Sequence, residues 1–260
     1  MQNTLTFKKT KISFSTCGKG SAIVFLHGFL ENSTMWNSVS KELSKRNRVI
    51  CIDLLGHGNT ECFGYIHSME LMAEAVEAVL KHLRIRKSII VGHSMGGYVA
   101  LAFAEKNPKN VKGLCLMNST SLADDDERKT LRTRANKLVQ KNFKNMVQMS
   151  FTNLFSEQSR ITFKDEMKVA LQEALQTPAQ GYIACQEGMR IRPNREHILQ
   201  NLSYKKLLII GKKDPVLDYK ISLEEAKNNH LETVVFDDGH MSHIENKSEL
   251  IEVLKGFVKN

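Results

Sequence analysis

The segment Ser88-Ile89-Ile90-Val91-Gly92-His93-Ser94-Met95-Gly96-Gly97 constrains this chain more than any other. Its apolar run has the length of a buried strand, and residues 98–105 read as a helix that stops near Pro108. Ser94 therefore falls on a sharp strand-to-helix turn. Such a turn strains the backbone of its central residue, and Gly92 and Gly96 remove the Cβ atoms that would hold strand and helix apart. A serine placed there presents its hydroxyl above the edge of a sheet.

The rest of the chain supplies the sheet. Strand-like runs at 11–16, 22–26 and 49–54 alternate with helix-like stretches at 35–45 and 68–83. After the Ser94 unit comes a strand at 111–117, and the rhythm returns late, with strands at 206–210 and 232–236 and helices at 221–229 and 247–258. Alternation of this kind predicts a parallel sheet covered by helices. Residues 122–200 interrupt it with no convincing strand and helix-like stretches at 125–144, 162–176 and 178–190. They are expected to form a helical cap inserted into a core built from 1–121 and 201–260. Thr177-Pro178 fits an N-cap followed by proline at the first helical position, and Asp165 and Glu166 place negative charge in a first turn.

Composition excludes several classes. The 260 residues, 42% hydrophobic, are enough to bury one sizeable α/β core. No early run has the apolar core of a signal peptide and no later one is long enough to span a bilayer, so a soluble cytoplasmic protein is expected. Five scattered cysteines without a C-x-x-C pair suggest neither a disulfide framework nor a zinc site. The net charge of +9 is spread along the chain and reads as a solvated basic surface, not a nucleic-acid footprint.

A serine hydroxyl becomes a nucleophile at neutral pH when an imidazole takes its proton and a carboxylate fixes that imidazole's tautomer. Both partners are expected in loops after later strands. Asp214 follows the run Leu207-Leu208-Ile209-Ile210, and His240 follows Thr233-Val234-Val235-Phe236. Competitors are His243 for the base, and Asp218 or Asp124, Asp125 and Asp126 for the acid. The oxyanion of the attacked carbonyl needs two N–H donors. The Met95 amide is one, and the Phe29 amide, in the loop His27-Gly28-Phe29 after the strand at 22–26, is the other.

Taken together, His27-Gly28-Phe29, Asp53-Leu54-Leu55-Gly56-His57-Gly58, Gly92-His93-Ser94-Met95-Gly96-Gly97, Gly211-Lys212-Lys213-Asp214 and Gly239-His240 with Glu245 resemble the α/β-hydrolase superfamily over nearly the whole chain. The resemblance implies a mostly parallel eight-stranded sheet with helices on both faces, Ser94 on its nucleophile elbow and a lid over the site. Asn59-Thr60 departs from the commoner glycine-any-serine continuation of its loop. Serine at the elbow separates the chain from dehalogenases and epoxide hydrolases, which carry aspartate there.

The function expected on this basis is hydrolysis of a small carboxylic ester or thioester through an acyl-Ser94 intermediate, with His240 as base, Asp214 orienting it and no cofactor or metal. Carbon–carbon hydrolase or menaquinone-pathway-type lyase chemistry on the same triad, and a non-catalytic receptor on the same fold, are the alternatives. Met146, Met149, Phe151, Leu154 and Phe155 make an apolar stripe in the cap that reads either as a wall of the substrate pocket or as ordinary core, and Trp36, after the oxyanion loop, either borders the pocket or packs under the sheet edge. Arg190, Arg192 and Arg195 are candidates for an anionic substrate group. Oligomeric state is not legible in the sequence.

Overall fold

The computed structural model describes residues 2–200 and 204–259. Eight strands form one sheet: β1 (Gln2–Phe7), β2 (Thr10–Cys17), β3 (Ala22–Leu26), β4 (Arg48–Ile52), β5 (Ser88–His93), β6 (Val111–Met117), β7 (Lys205–Gly211) and β8 (Glu232–Phe236). Their spatial order is β1-β2-β4-β3-β5-β6-β7-β8, and β2 alone runs antiparallel to its neighbours. From β4 to β8 every pairing is parallel. Residues of β3 and β5 are buried throughout, as central strands covered on both faces require.

Helices α1 (Asn37–Leu43), α2 (Met69–His82) and α3 (Met95–Lys106) follow β3, β4 and β5. Between β6 and β7 lie α4 (Asp126–Val139), α5 (Phe143–Thr152), α6 (Glu157–Thr162), α7 (Lys164–Ala174), α8 (Ala179–Arg190) and α9 (Glu196–Gln200). Helices α10 (Tyr219–Asn228), α11 (Ser242–Glu245) and α12 (Lys247–Lys259) complete the chain. On one face Val24, Ile50, Ile90 and Leu114 meet α2 and α3, and on the other Ile23, Phe25, Val91 and Ile209 meet α1 and α12.

Several expectations need correction. Strand β1 escapes the sequence because its turn is made by Lys8 and Lys9, both at positive φ, where glycine or asparagine is the usual signal. The helix expected over 125–144 ends at Val139, and α5 starts afresh at Phe143. Pro178, extended at ψ 151°, stands before α8 instead of inside its first turn. No helix among the described residues is long and apolar enough to cross a membrane.

Candidate active site

Parallel strands end on one edge, so the loops after β3, β5, β6, β7 and β8 converge there. Ser94 sits between β5 and α3 at φ 49° and ψ −116°, a left-handed conformation strained for a residue with a Cβ. A Cβ on Gly92 would collide with the Gly96 carbonyl oxygen, and one on Gly96 with the Leu26 carbonyl oxygen. The turn is pinned by the Ser94 N–H donating to the Met117 carbonyl at 2.9 Å and by Ser119 Oγ donating to the Ser94 carbonyl at 2.8 Å.

Across the edge, His240 Nδ1 lies 2.7 Å from Asp214 Oδ2, with both side chains buried. Asp214 Oδ1 accepts the Val216 and Leu217 N–H groups at 2.8 and 3.0 Å. Burial alone would raise the pKa of Asp214; the His240 imidazole, its hydrogen bond and the two backbone donors instead hold it below the ordinary carboxylate value. The carboxylate thus fixes the tautomer that carries its proton on Nδ1. His240 Nε2 is left buried without a hydrogen-bond partner.

The competing residues stand apart from this pair. Asp218 caps α10, Asp125 caps α4, and Asp124 binds Arg132 and Arg192. His243 lies on α11 with Nε2 3.7 Å from Glu31 Oε1, beyond hydrogen-bond range.

The loop after β3 is held by neutral histidines. Burial pushes His27 down and His57 down to about 3, so each ring accepts a backbone N–H: Leu54 N–H to His27 Nε2 at 2.8 Å and Leu30 N–H to His57 Nε2 at 3.1 Å. The Gly28 N–H donates to Glu31 Oε2 and the Glu31 N–H to the Gly28 carbonyl. The Phe29 N–H takes part in none of these bonds. Met95 opens α3, where first-turn N–H groups have no intrahelical acceptor. Among the described residues no group of three or more His, Cys, Asp or Glu side chains is arranged to hold a metal ion.

Residues 126–200 pack directly on these loops. Leu30, after Phe29, and Met241, after His240, share one apolar cluster with Val147, Phe151, Phe155 and Tyr182. Phe155 is fully buried in that cluster, whereas Met149 faces away and is half exposed, because α5 turns Met146, Val147 and Phe151 inward.

The other candidate substrate contacts are engaged elsewhere. Trp36 is buried under the sheet against Phe25, ring centroids 4.8 Å apart, on the side of α1 and α12. Arg192 is locked between Asp124 and the Tyr98 ring, Arg195 between Glu70 and Glu105, and Arg190 is paired with Glu187. Their charges are already matched by carboxylates.

Sequence reasoning missed Asn118. At φ 45° directly after β6, its Nδ2 donates to Asp214 Oδ2 at 3.2 Å and to the Gly239 carbonyl at 3.1 Å, while Ser242 Oγ donates to its Oδ1. The available signal was an asparagine, tolerant of left-handed φ, at the mouth of an apolar strand.

Known proteins share this fold. A family model described as alpha/beta hydrolase fold matches residues 21–247, and the chain belongs to that family. It is 27% identical over 242 residues to 3-oxoadipate enol-lactonase 1 of Acinetobacter baylyi, covering 92% of this chain and 89% of the relative. Uncharacterized proteins of Mycobacterium tuberculosis and Mycobacterium bovis are 39% identical over 113 residues, a stretch spanning 44% of this chain and only a third of theirs. Among solved structures, a thermophilic esterase from Thermogutta terrifontis, with malate bound, superposes with a TM-score of 0.93 at 26% identity, covering 100% of this chain and 98% of the esterase.

Proposed function

We propose that this chain is a serine hydrolase that cleaves a small carboxylic ester or thioester, lactones included as cyclic esters. The observation that carries the reading is the buried Asp214–His240 pair whose free Nε2 stands at the same sheet edge as the strained elbow serine. Relatives named as an enol-lactonase and an esterase support the same bond type.

Ser94 Oγ attacks the acyl carbonyl while His240 Nε2 takes its proton. Asp214 stabilises the imidazolium that results, and the Phe29 and Met95 N–H groups donate hydrogen bonds to the developing oxyanion. The tetrahedral intermediate then collapses: the bond to the leaving alcohol or thiol breaks as His240 gives it the proton, leaving acyl-Ser94. Water activated by His240 adds to that carbonyl, so that the Ser94 Oγ–acyl bond breaks, the acid leaves and His240 returns a proton to Ser94. Residues 122–200 act as the cap over this site, with their apolar cluster as one wall. Five unpaired cysteines suit a reducing compartment such as the cytoplasm.

The test is hydrolysis of p-nitrophenyl esters from acetate to palmitate by wild type and Ser94→Ala. Wild-type turnover that falls at least about a thousandfold in the folded variant supports the reading. Equal rates in both, or no wild-type turnover of any ester, thioester or lactone, overturn it.

A further inference from the structure

The elbow carries a second buried histidine that the triad does not use. His93, immediately before Ser94, is 1% exposed in its side chain, and its partner Glu31 is 4% exposed. His93 Nδ1 lies 2.6 Å from Glu31 Oε2, and His93 Nε2 lies 2.9 Å from the main-chain carbonyl of His240. The same Glu31 oxygen accepts the Gly28 N–H at 2.7 Å, one residue before Phe29.

We propose that Glu31 and His93 form a buried carboxylate–imidazolium strut that holds the oxyanion loop and the His240 loop in register on either side of Ser94. Both are positioning residues, and the inference rests on the serine-hydrolase reading. Three pieces of the reaction hang on this one chain of bonds. Glu31 anchors the loop that carries the Phe29 donor, His93 is covalently joined to the nucleophile, and its far nitrogen grips the backbone of the base.

The ionisation follows from the partners. A carbonyl oxygen only accepts, and a carboxylate already accepting from Gly28 does the same, so both nitrogens of His93 must carry protons for both contacts to be hydrogen bonds. Burial by itself would lower the His93 pKa, but the Glu31 charge, its hydrogen bond and the His240 carbonyl outweigh it and the net shift is upward. Burial likewise opposes ionisation of Glu31, yet His93 and the neighbouring histidines hold it down at about 2. The pair is therefore a buried ion pair in which mutual attraction and the surrounding hydrogen bonds offset the desolvation of both charges. The groups facing it from other elements are His27 at the end of β3, His243 on α11 and Asp214 in the loop after β7. His243 is pushed down to about 4 by burial, and His27 is also lowered, so neither adds a proton at neutral pH.

A glutamine at position 31 cannot replace the carboxylate. If its oxygen accepts from both Gly28 and a doubly protonated His93, a cation is left buried without counter-charge. If His93 becomes neutral, one of its two bonds is lost. Either way the strut is cut at one link.

The experiment compares wild type, Glu31→Gln and His93→Asn at pH 7.5 on a short p-nitrophenyl ester, with thermal unfolding followed on the same samples. Imidazole N–H groups are read by 15N-resolved NMR of the wild type. The expected result is two ring protons on His93 in wild type, and a kcat about 10- to 100-fold lower in either variant while KM moves less than about threefold. His93→Asn leaves the Glu31–Gly28 bond in place, so it reports even where Glu31→Gln does not fold. Wild-type kcat in a folded variant, or a single ring proton on His93 in wild type, overturns the strut. Failure of the hydrolase reading looks different: turnover that ignores Ser94, with the His93 ring protons unaffected.

Discussion

The loops at the sheet edge and the helical segment between β6 and β7 both bury carboxylates, but they use them differently. At the edge, Asp53 accepts the Ser33 and Asn59 N–H groups, Asp214 those of Val216 and Leu217, Glu31 that of Gly28, and Glu225 that of Ser121. In the helical segment, buried Asp124 binds the side chains of Arg132 and Arg192, and the partly buried Glu187 binds Asn136 and Arg190. A backbone N–H has a fixed direction, so a carboxylate that accepts it fixes a loop's path. A guanidinium on a long stem fixes only where two segments meet. The sheet edge is therefore built for geometry and the helical segment for attachment, and substitutions in the two should separate into losses of rate and losses of stability.

Asp214→Asn gives the largest effect on that scale. An amide at this position can donate to His240 Nδ1 and so favours the wrong tautomer, with the proton on Nε2 facing Ser94. We expect kcat for a p-nitrophenyl ester to fall about a thousand- to ten-thousandfold with a melting temperature close to wild type. A loss below tenfold in folded protein would remove Asp214 from the acid role and blur the comparison at its strongest point.

The opposite pattern is expected of Asp124→Ala. It strands two largely buried guanidinium groups, Arg192 with 5% and Arg132 with 13% of the side chain exposed. Breaking a buried pair in this way costs about 3–5 kcal/mol. Turnover by the protein that remains folded at low temperature should stay within a few-fold of wild type. The pH dependence has a definite sign. Burial would raise the Asp124 pKa, but the two arginines lower it below 3.8, so its contribution is present above that value and is lost as pH falls through the depressed one. Wild type and variant should therefore differ most near neutrality and converge in acid, as read by urea unfolding at several pH values.

The same division explains what could be read in the sequence. Buried strands such as Ala22–Leu26 and Ser88–His93 are continuous apolar runs, and the order of Ser94, Asp214 and His240 is fixed by chain topology, so both were visible as patterns. The elbow glycines were legible because sterics admit nothing else there. Glu31 and Asn118 were not, because their roles depend on contacts 62 and 96 residues away that no local spacing encodes. Trp36 was open for a related reason: its place in the sequence after the loop at 27–29 says nothing about which face of the sheet it covers, and Phe25 decides between the two readings in favour of packing under the sheet. In the helical segment, the arginines at 192 and 195 looked available for an anion because their carboxylate partners, Asp124, Glu70 and Glu105, lie far off in the chain, whereas the partner of Arg190, Glu187, is only three residues away.

Asn118→Ala gives the smallest effect and the finest test of the comparison. Its side chain touches Asp214 and the Gly239 carbonyl just before His240, yet Asp214 keeps two backbone donors and its bond to His240 without it. Removing Asn118 leaves the Ser242 hydroxyl without its acceptor and loosens the spacing between the two loops. A loss of about tenfold in kcat, with KM nearly constant, is what a small misplacement of the base produces. Should the loss instead appear as about 1–3 kcal/mol of stability with kcat unchanged, Asn118 is a buried polar group satisfied for folding alone. The backbone donors to Asp214 would then suffice to set the geometry. Should kcat fall as far as in Asp214→Asn, the side chain would rank with the acid itself, and loop alignment at the sheet edge would depend on a side-chain hub between β6, β7 and β8 more than on carboxylates gripping their own loops.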